Sequence, residues 1–87
     1  MSELAERLHE ELEALRTARD ELRVRLHLGK AEIRNRWEAL EKSWQHAEAK
    51  LKTLRKESKE SSADIAEAIR LLAEEIREGY EHLRKQL

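Results

Sequence analysis

One apolar stripe constrains this chain more than any other feature. It runs through Leu15, Ala18, Leu22, Leu26, Gly29, Ile33, Trp37, Leu40 and Trp44, with steps of 3, 4, 4, 3, 4, 4, 3 and 4. That is an eleven-residue repeat of about 3.67 residues per turn, which keeps a stripe on one face of a nearly straight helix. Leu4, Leu8 and Leu12 extend it toward the N-terminus. After Trp44 the stripe continues as Ala47, Leu51 and Leu54 in steps of 3, 4 and 3, a heptad spacing. It then loses its apolar members at Ser58 and Ser61. Ile65, Ile69, Leu72, Ile76, Tyr80, Leu83 and Leu87 resume an eleven-residue step.

Composition supports helices throughout. There is no Pro, Cys or Phe, and charged residues make up 43% of the 87. Val24 is the sole valine, and β-branched residues never alternate, so strand signals are missing. Glu precedes a base by four residues in Glu3/Arg7, Glu21/Arg25, Glu32/Arg36, Glu38/Lys42 and Glu48/Lys52. Each such pair adds about 0.2–0.5 kcal/mol to a helix. The polar stretch Lys56–Ser62 is the weakest helix, and Ser61-x-x-Asp64 resembles a capping pattern, so a turn is expected within 57–62.

Gly29 is the second candidate break. No loop residues follow it, and the stripe keeps its phase from Leu22 and Leu26 to Ile33 and Trp37. The expectation is therefore a continuous helix over about 2–57, with Gly29 a small residue at a close approach, and a second helix over about 63–86. The whole chain, 1–87, is expected to be one helical domain. A 2–57 rod would be roughly 84 Å long, and the shorter helix folded back on it would cover only about residues 33–56. The bare Leu stripe from 4 to 28 would then demand a second chain. The expected fold is all-α: an antiparallel helical hairpin or coiled coil assembled as a homodimer. The alternative is a three-helix bundle with turns near Gly29 and Ser58–Ser62.

A net charge of −1 argues against a nucleic-acid partner, since a duplex binder needs a surplus of bases. The lack of Cys removes disulfide and thiolate chemistry. No leader and no apolar run of membrane-spanning length is visible, so a soluble, cytoplasmic protein is expected.

Candidate functional residues are few. Trp37 and Trp44, seven apart, suit either a lipid or partner anchor or core packing where helices meet, and their phase with Leu40 and Leu51 favours the core. His9, His27, His46 and His82 lie close to multiples of eighteen residues apart and would share one side of a straight helix. They read as edge residues, with a pH switch as the functional alternative. Glu6-x-x-His9 is half of a di-iron bundle motif, with no second copy to complete it. No catalytic residue, cofactor or metal site is assigned. The interaction stripe is assigned to Leu15, Leu22, Leu26, Ile33, Trp37, Leu40, Trp44, Leu51, Leu54, Ile65, Ile69, Leu72, Ile76, Tyr80 and Leu83.

The eleven-residue period of Leu15–Trp44 and Ile65–Leu87 resembles that of apolipoprotein-like helical repeat proteins. Leu28-Gly29-Lys30-Ala31-Glu32-Ile33, Trp37-Glu38-Ala39-Leu40-Glu41 and the stretch from Leu71 to Glu81 resemble small uncharacterised bacterial coiled-coil proteins. The resemblance implies a helical protein without an assigned reaction. Two functions remain. One is a non-enzymatic structural or protein-interaction module that pairs with itself or with another helical protein. The other is a reversible membrane-surface or stress-associated helix.

Overall fold

The computed structural model describes residues 3–56 and 62–87, all but a few of them helical. Helix α1 spans Glu3–Arg25, a single 3₁₀ turn follows at Leu26–Leu28, α2 spans Ala31–Lys56 and α3 spans Ser62–Gln86. The second expected turn falls largely on residues 57–61, which lie outside the described residues. No strand occurs among the described residues.

The all-α packing is as expected, and of the two arrangements weighed above the chain adopts the three-helix bundle. The continuous 2–57 helix is not formed, because the backbone reverses at Gly29 and Lys30. Cross-helix contacts give the directions. Arg16 meets Glu48 and Arg19 meets Glu41, so α1 and α2 are antiparallel. Glu11 meets Arg77 and Glu21 meets Arg84, so α1 and α3 are parallel. Trp37 stacks on Tyr80, with α2 and α3 antiparallel. The longest dimension is 44 Å, half of what a straight rod would need.

Burial explains the reversal. Folding α1 back lets Leu8, Leu12, Leu15 and Leu22 leave water inside the same molecule. Each buried leucine contributes about 1.5–3 kcal/mol, with no cost of associating a second chain. The bare stripe that called for a partner is thus covered within one chain.

The turn itself uses almost no loop. The Gly29 amide donates to the Leu26 carbonyl at 3.0 Å, and the Arg34 amide donates to the Lys30 carbonyl at 3.1 Å to start α2. Lys30 therefore stands where Ser, Thr, Asp or Asn would usually mark a helix start. His27 Nδ1 lies 3.0 Å from the Val24 carbonyl and donates to it, serving one of the carbonyls left open at the end of α1. Gly29 is extended, with φ −87° and ψ 155°, a conformation open to any residue. Its size is what counts: a Cβ there would lie 2.9 Å from Ile33 Cγ2 and 3.0 Å from Ile33 Cβ. The close approach of a second helix belongs to the other glycine. A Cβ on Gly79 of α3 would meet both methyls of Leu40 on α2, at 2.6 and 2.7 Å.

Along each helix the inward side chains follow a heptad. They are Ala5, Leu8, Leu12, Leu15, Arg19, Leu22 and Leu26 on α1 and in the turn after it. On α2 they are Ile33, Trp37, Leu40, Trp44, Ala47, Leu51 and Leu54. On α3 they are Ala66, Ile69, Ala73, Ile76, Tyr80, Leu83 and Leu87. Two sequence readings shift accordingly. Leu4 is exposed and Ala5 takes the inward place. In α3, Ile65 and Leu72 are only half-buried shoulders, while Ala66 and Ala73 lie on the seam. Helix α3 packs against both other helices, and α1 touches α2 least. Two of the five expected i, i+4 pairs give way to contacts between helices: Glu48 turns to Arg16 and Glu21 to Arg84.

Candidate functional site

All fifteen residues of the predicted interaction stripe fall in or against one core. Leu26, Ile65 and Leu72 are half-buried, and the other twelve are buried. In the closed bundle the stripe is therefore covered, apart from the half-exposed edges of those three. The histidines disperse instead of sharing a side. His9 lies on α1, His27 in the turn, His46 on α2 and His82 on α3, and the last three are exposed. The helix reversal breaks the straight axis that their spacing needed. Glu6 is exposed, and no three His, Cys, Asp or Glu gather to hold a metal among the described residues.

The chemistry of the core is concentrated in one layer at mid-bundle. Arg19 occupies a seam position where its neighbours along α1 are leucines. Its Nε donates to Glu41 Oε2 at 3.0 Å and its terminal nitrogen to Glu41 Oε1 at 2.9 Å. The two side chains are only 16% and 20% exposed. The bond to Glu41 raises the Arg19 pKa, against an opposing effect of burial. A two-pronged guanidinium–carboxylate pair of this kind fixes direction as well as distance.

Trp44 is buried next to this pair. The guanidinium carbons of Arg16 and Arg19 lie 5.3 and 5.4 Å from its ring centre, within cation–π range. Arg16 also donates to Glu48 at 2.7 Å. Trp37 and Tyr80 stack with ring centres 6.0 Å apart and planes 21° from parallel. Both tryptophans thus take the core role that their phase predicted.

The Tyr80 hydroxyl is buried and has no hydrogen-bond partner among the described residues. Burial, with Glu41 close by, pushes its pKa well above the usual phenol value. An unpaired buried hydroxyl costs about 1–3 kcal/mol, so Tyr80→Phe is expected to hold or raise stability by up to about 1 kcal/mol. The pH dependence has a definite sign. A phenol whose folded pKa is raised contributes stability that is whole below its unfolded value, about 10, and is lost as pH rises beyond it. Urea unfolding at pH 9 and pH 11 should therefore show a larger alkaline loss for the native chain than for Tyr80→Phe.

Between α1 and α2, on the side away from α3, lies an open groove of about 460 Å³. Leu12 and Leu51 line it, with Arg16, Glu48, Lys52 and Arg55 alongside. It runs beside the thinnest interface of the bundle. Sequence reasoning assigned no role to Arg19 or to Glu41. Leu15 plus four and Leu22 minus three both give position 19, so the heptad was the signal available.

No protein family matches the chain, and neither a curated protein nor a solved structure is significantly similar to it.

Proposed function

We propose that this chain is a non-enzymatic, coiled-coil interaction module of the cytoplasm whose partner is a second copy of itself. The working element is α1, which leaves its own bundle and docks in the same place on another. One observation carries the reading: the apolar seam remains in phase across the Gly29–Lys30 turn. Leu22, Leu26, Gly29, Ile33 and Trp37 step by 4, 3, 4 and 4, which is a heptad with one four-residue stutter. A turn does not require that phase, whereas a straight rod does. Opened at Gly29, the rod would hold the same residues on one face, and two rods crossing there would restore every α1 contact between chains. Short connections of this kind favour exchange of an element between copies.

The crossing would bring the bases around the turn of both copies together, so exchange should rise with ionic strength. Gly29→Ala tests the reading. It crowds Ile33 in the closed turn and adds about 1 kcal/mol of helix propensity to the rod. Light scattering should give a dimer mass for the variant, with helicity retained. A helical Gly29→Ala monomer at every concentration, or a variant that loses its helicity, would overturn the exchange.

A further inference from the structure

The closed turn carries a surface of its own, independent of α1 exchange. Between positions 22 and 37 the chain holds five bases, Arg23, Arg25, Lys30, Arg34 and Arg36, against one acid, Glu32. All five are exposed. Among the described residues none of them has a carboxylate within ion-pairing distance, although Arg16, Arg19, Arg70, Arg77 and Arg84 each have one. The reversal folds this segment into one end of the bundle. The parallel α3 brings Arg84 to the same end, 3.7 Å from Glu21, with Lys85 next along the chain. At that tip two large apolar side chains stand in water: Val24 is 72% exposed and Leu28 is 64% exposed. Beside them is an open groove of about 520 Å³ lined by Glu21, Leu22, Val24, Arg25 and Arg84.

We infer that this tip docks on a bilayer surface bearing anionic phospholipids, with Val24 and Leu28 entering the headgroup region and the surrounding bases holding phosphates and carboxylates. Charge complementarity selects an anionic partner. The apolar pair selects a lipid among anions, because it leaves water in a bilayer interface and gains nothing along a nucleic-acid backbone. A second copy placed tip to tip would set bases against bases. The docked protein is the closed bundle, so Trp37 and Trp44 stay in the core and take no part. This separates the surface from one formed by unrolling the stripe onto lipid.

Each base near an anionic surface contributes enough that reversing two of them should weaken binding about thirty-fold or more. The test is sedimentation with vesicles of phosphatidylcholine alone and of phosphatidylcholine with phosphatidylserine. The intact chain should bind the anionic vesicles, release them at high salt and ignore the neutral ones. Arg25→Glu/Lys30→Glu should lose that binding. Lys52→Glu/Arg55→Glu carries the same net charge at the opposite end and should keep most of it. Val24→Ser/Leu28→Ser should weaken vesicle binding yet leave retention on a soluble polyanion such as heparin unchanged. All four altered positions at the tip are exposed, so helicity should be kept, and tryptophan emission should not move on binding. Equal vesicle binding by the intact chain and the tip charge variant would overturn the inference. So would an absence of binding, indifference to the serine substitutions, or a blue shift of the tryptophans.

Discussion

Trp44→Ala is expected to cost about 3–5 kcal/mol, the largest loss from any single truncation in this bundle. The indole is the largest fully buried side chain, and it lies against two guanidinium groups. A chain of this length has a total stability of about 4–13 kcal/mol. The variant should therefore unfold at much lower urea and populate the unfolded state at rest. Trp44→Phe should recover most of the loss, since it refills the volume and keeps an aromatic face for Arg16 and Arg19. Urea titration followed by circular dichroism measures both. A loss below about 1 kcal/mol for the alanine variant would mean that Trp44 is not packed as described.

The second large effect concerns the polar layer. Arg19→Ala leaves the Glu41 carboxylate in a site that is mostly closed to water, and should cost about 3 kcal/mol. Arg19→Lys should restore little, because a single ammonium cannot make the two-pronged bond or lie flat beside Trp44. Removing both charges is a different matter. Arg19→Met/Glu41→Leu should regain most of the stability, because the desolvation of both groups disappears with the pair. Urea midpoints of the native chain, Arg19→Met, Glu41→Leu and the double variant give the coupling directly. If the double variant were as unstable as the sum of the single ones, the pair would not be acting as a unit.

That layer shows where the sequence could be read and where it could not. The helices and nearly every core residue were legible, because Leu, Ile and Trp recur at helical spacing and nothing else competes with helix. The reversal at Gly29 was not. Its signals were silent for physical reasons: Lys30 is not a capping residue, and the stripe passes through the turn without changing phase. A turn that preserves phase looks like no turn at all. Reading Ala18 as a member of the stripe produced the eleven-residue step and hid Arg19, one position on, which holds the seam. In α3 the same preference for large side chains selected Ile65 and Leu72 over Ala66 and Ala73. Alanine signals burial weakly, because it is also common on exposed helix faces. The charge argument had a similar blind spot. A net charge of −1 describes the whole chain and conceals the five exposed bases gathered by the turn, none of them with a carboxylate in ion-pairing range among the described residues.

The parallel alignment of α1 with α3 carries a kinetic consequence. Glu11 meets Arg77 and Glu21 meets Arg84 across more than sixty residues of intervening chain. Helices α2 and α3 are neighbours in sequence and form the more extensive of the packed pairs. Closing the longer loop costs more chain entropy before any contact rewards it. The α2–α3 hairpin is thus the half that can assemble early and wait. Helix α1 arrives last during folding, and it is the first to come away when the bundle is pulled apart.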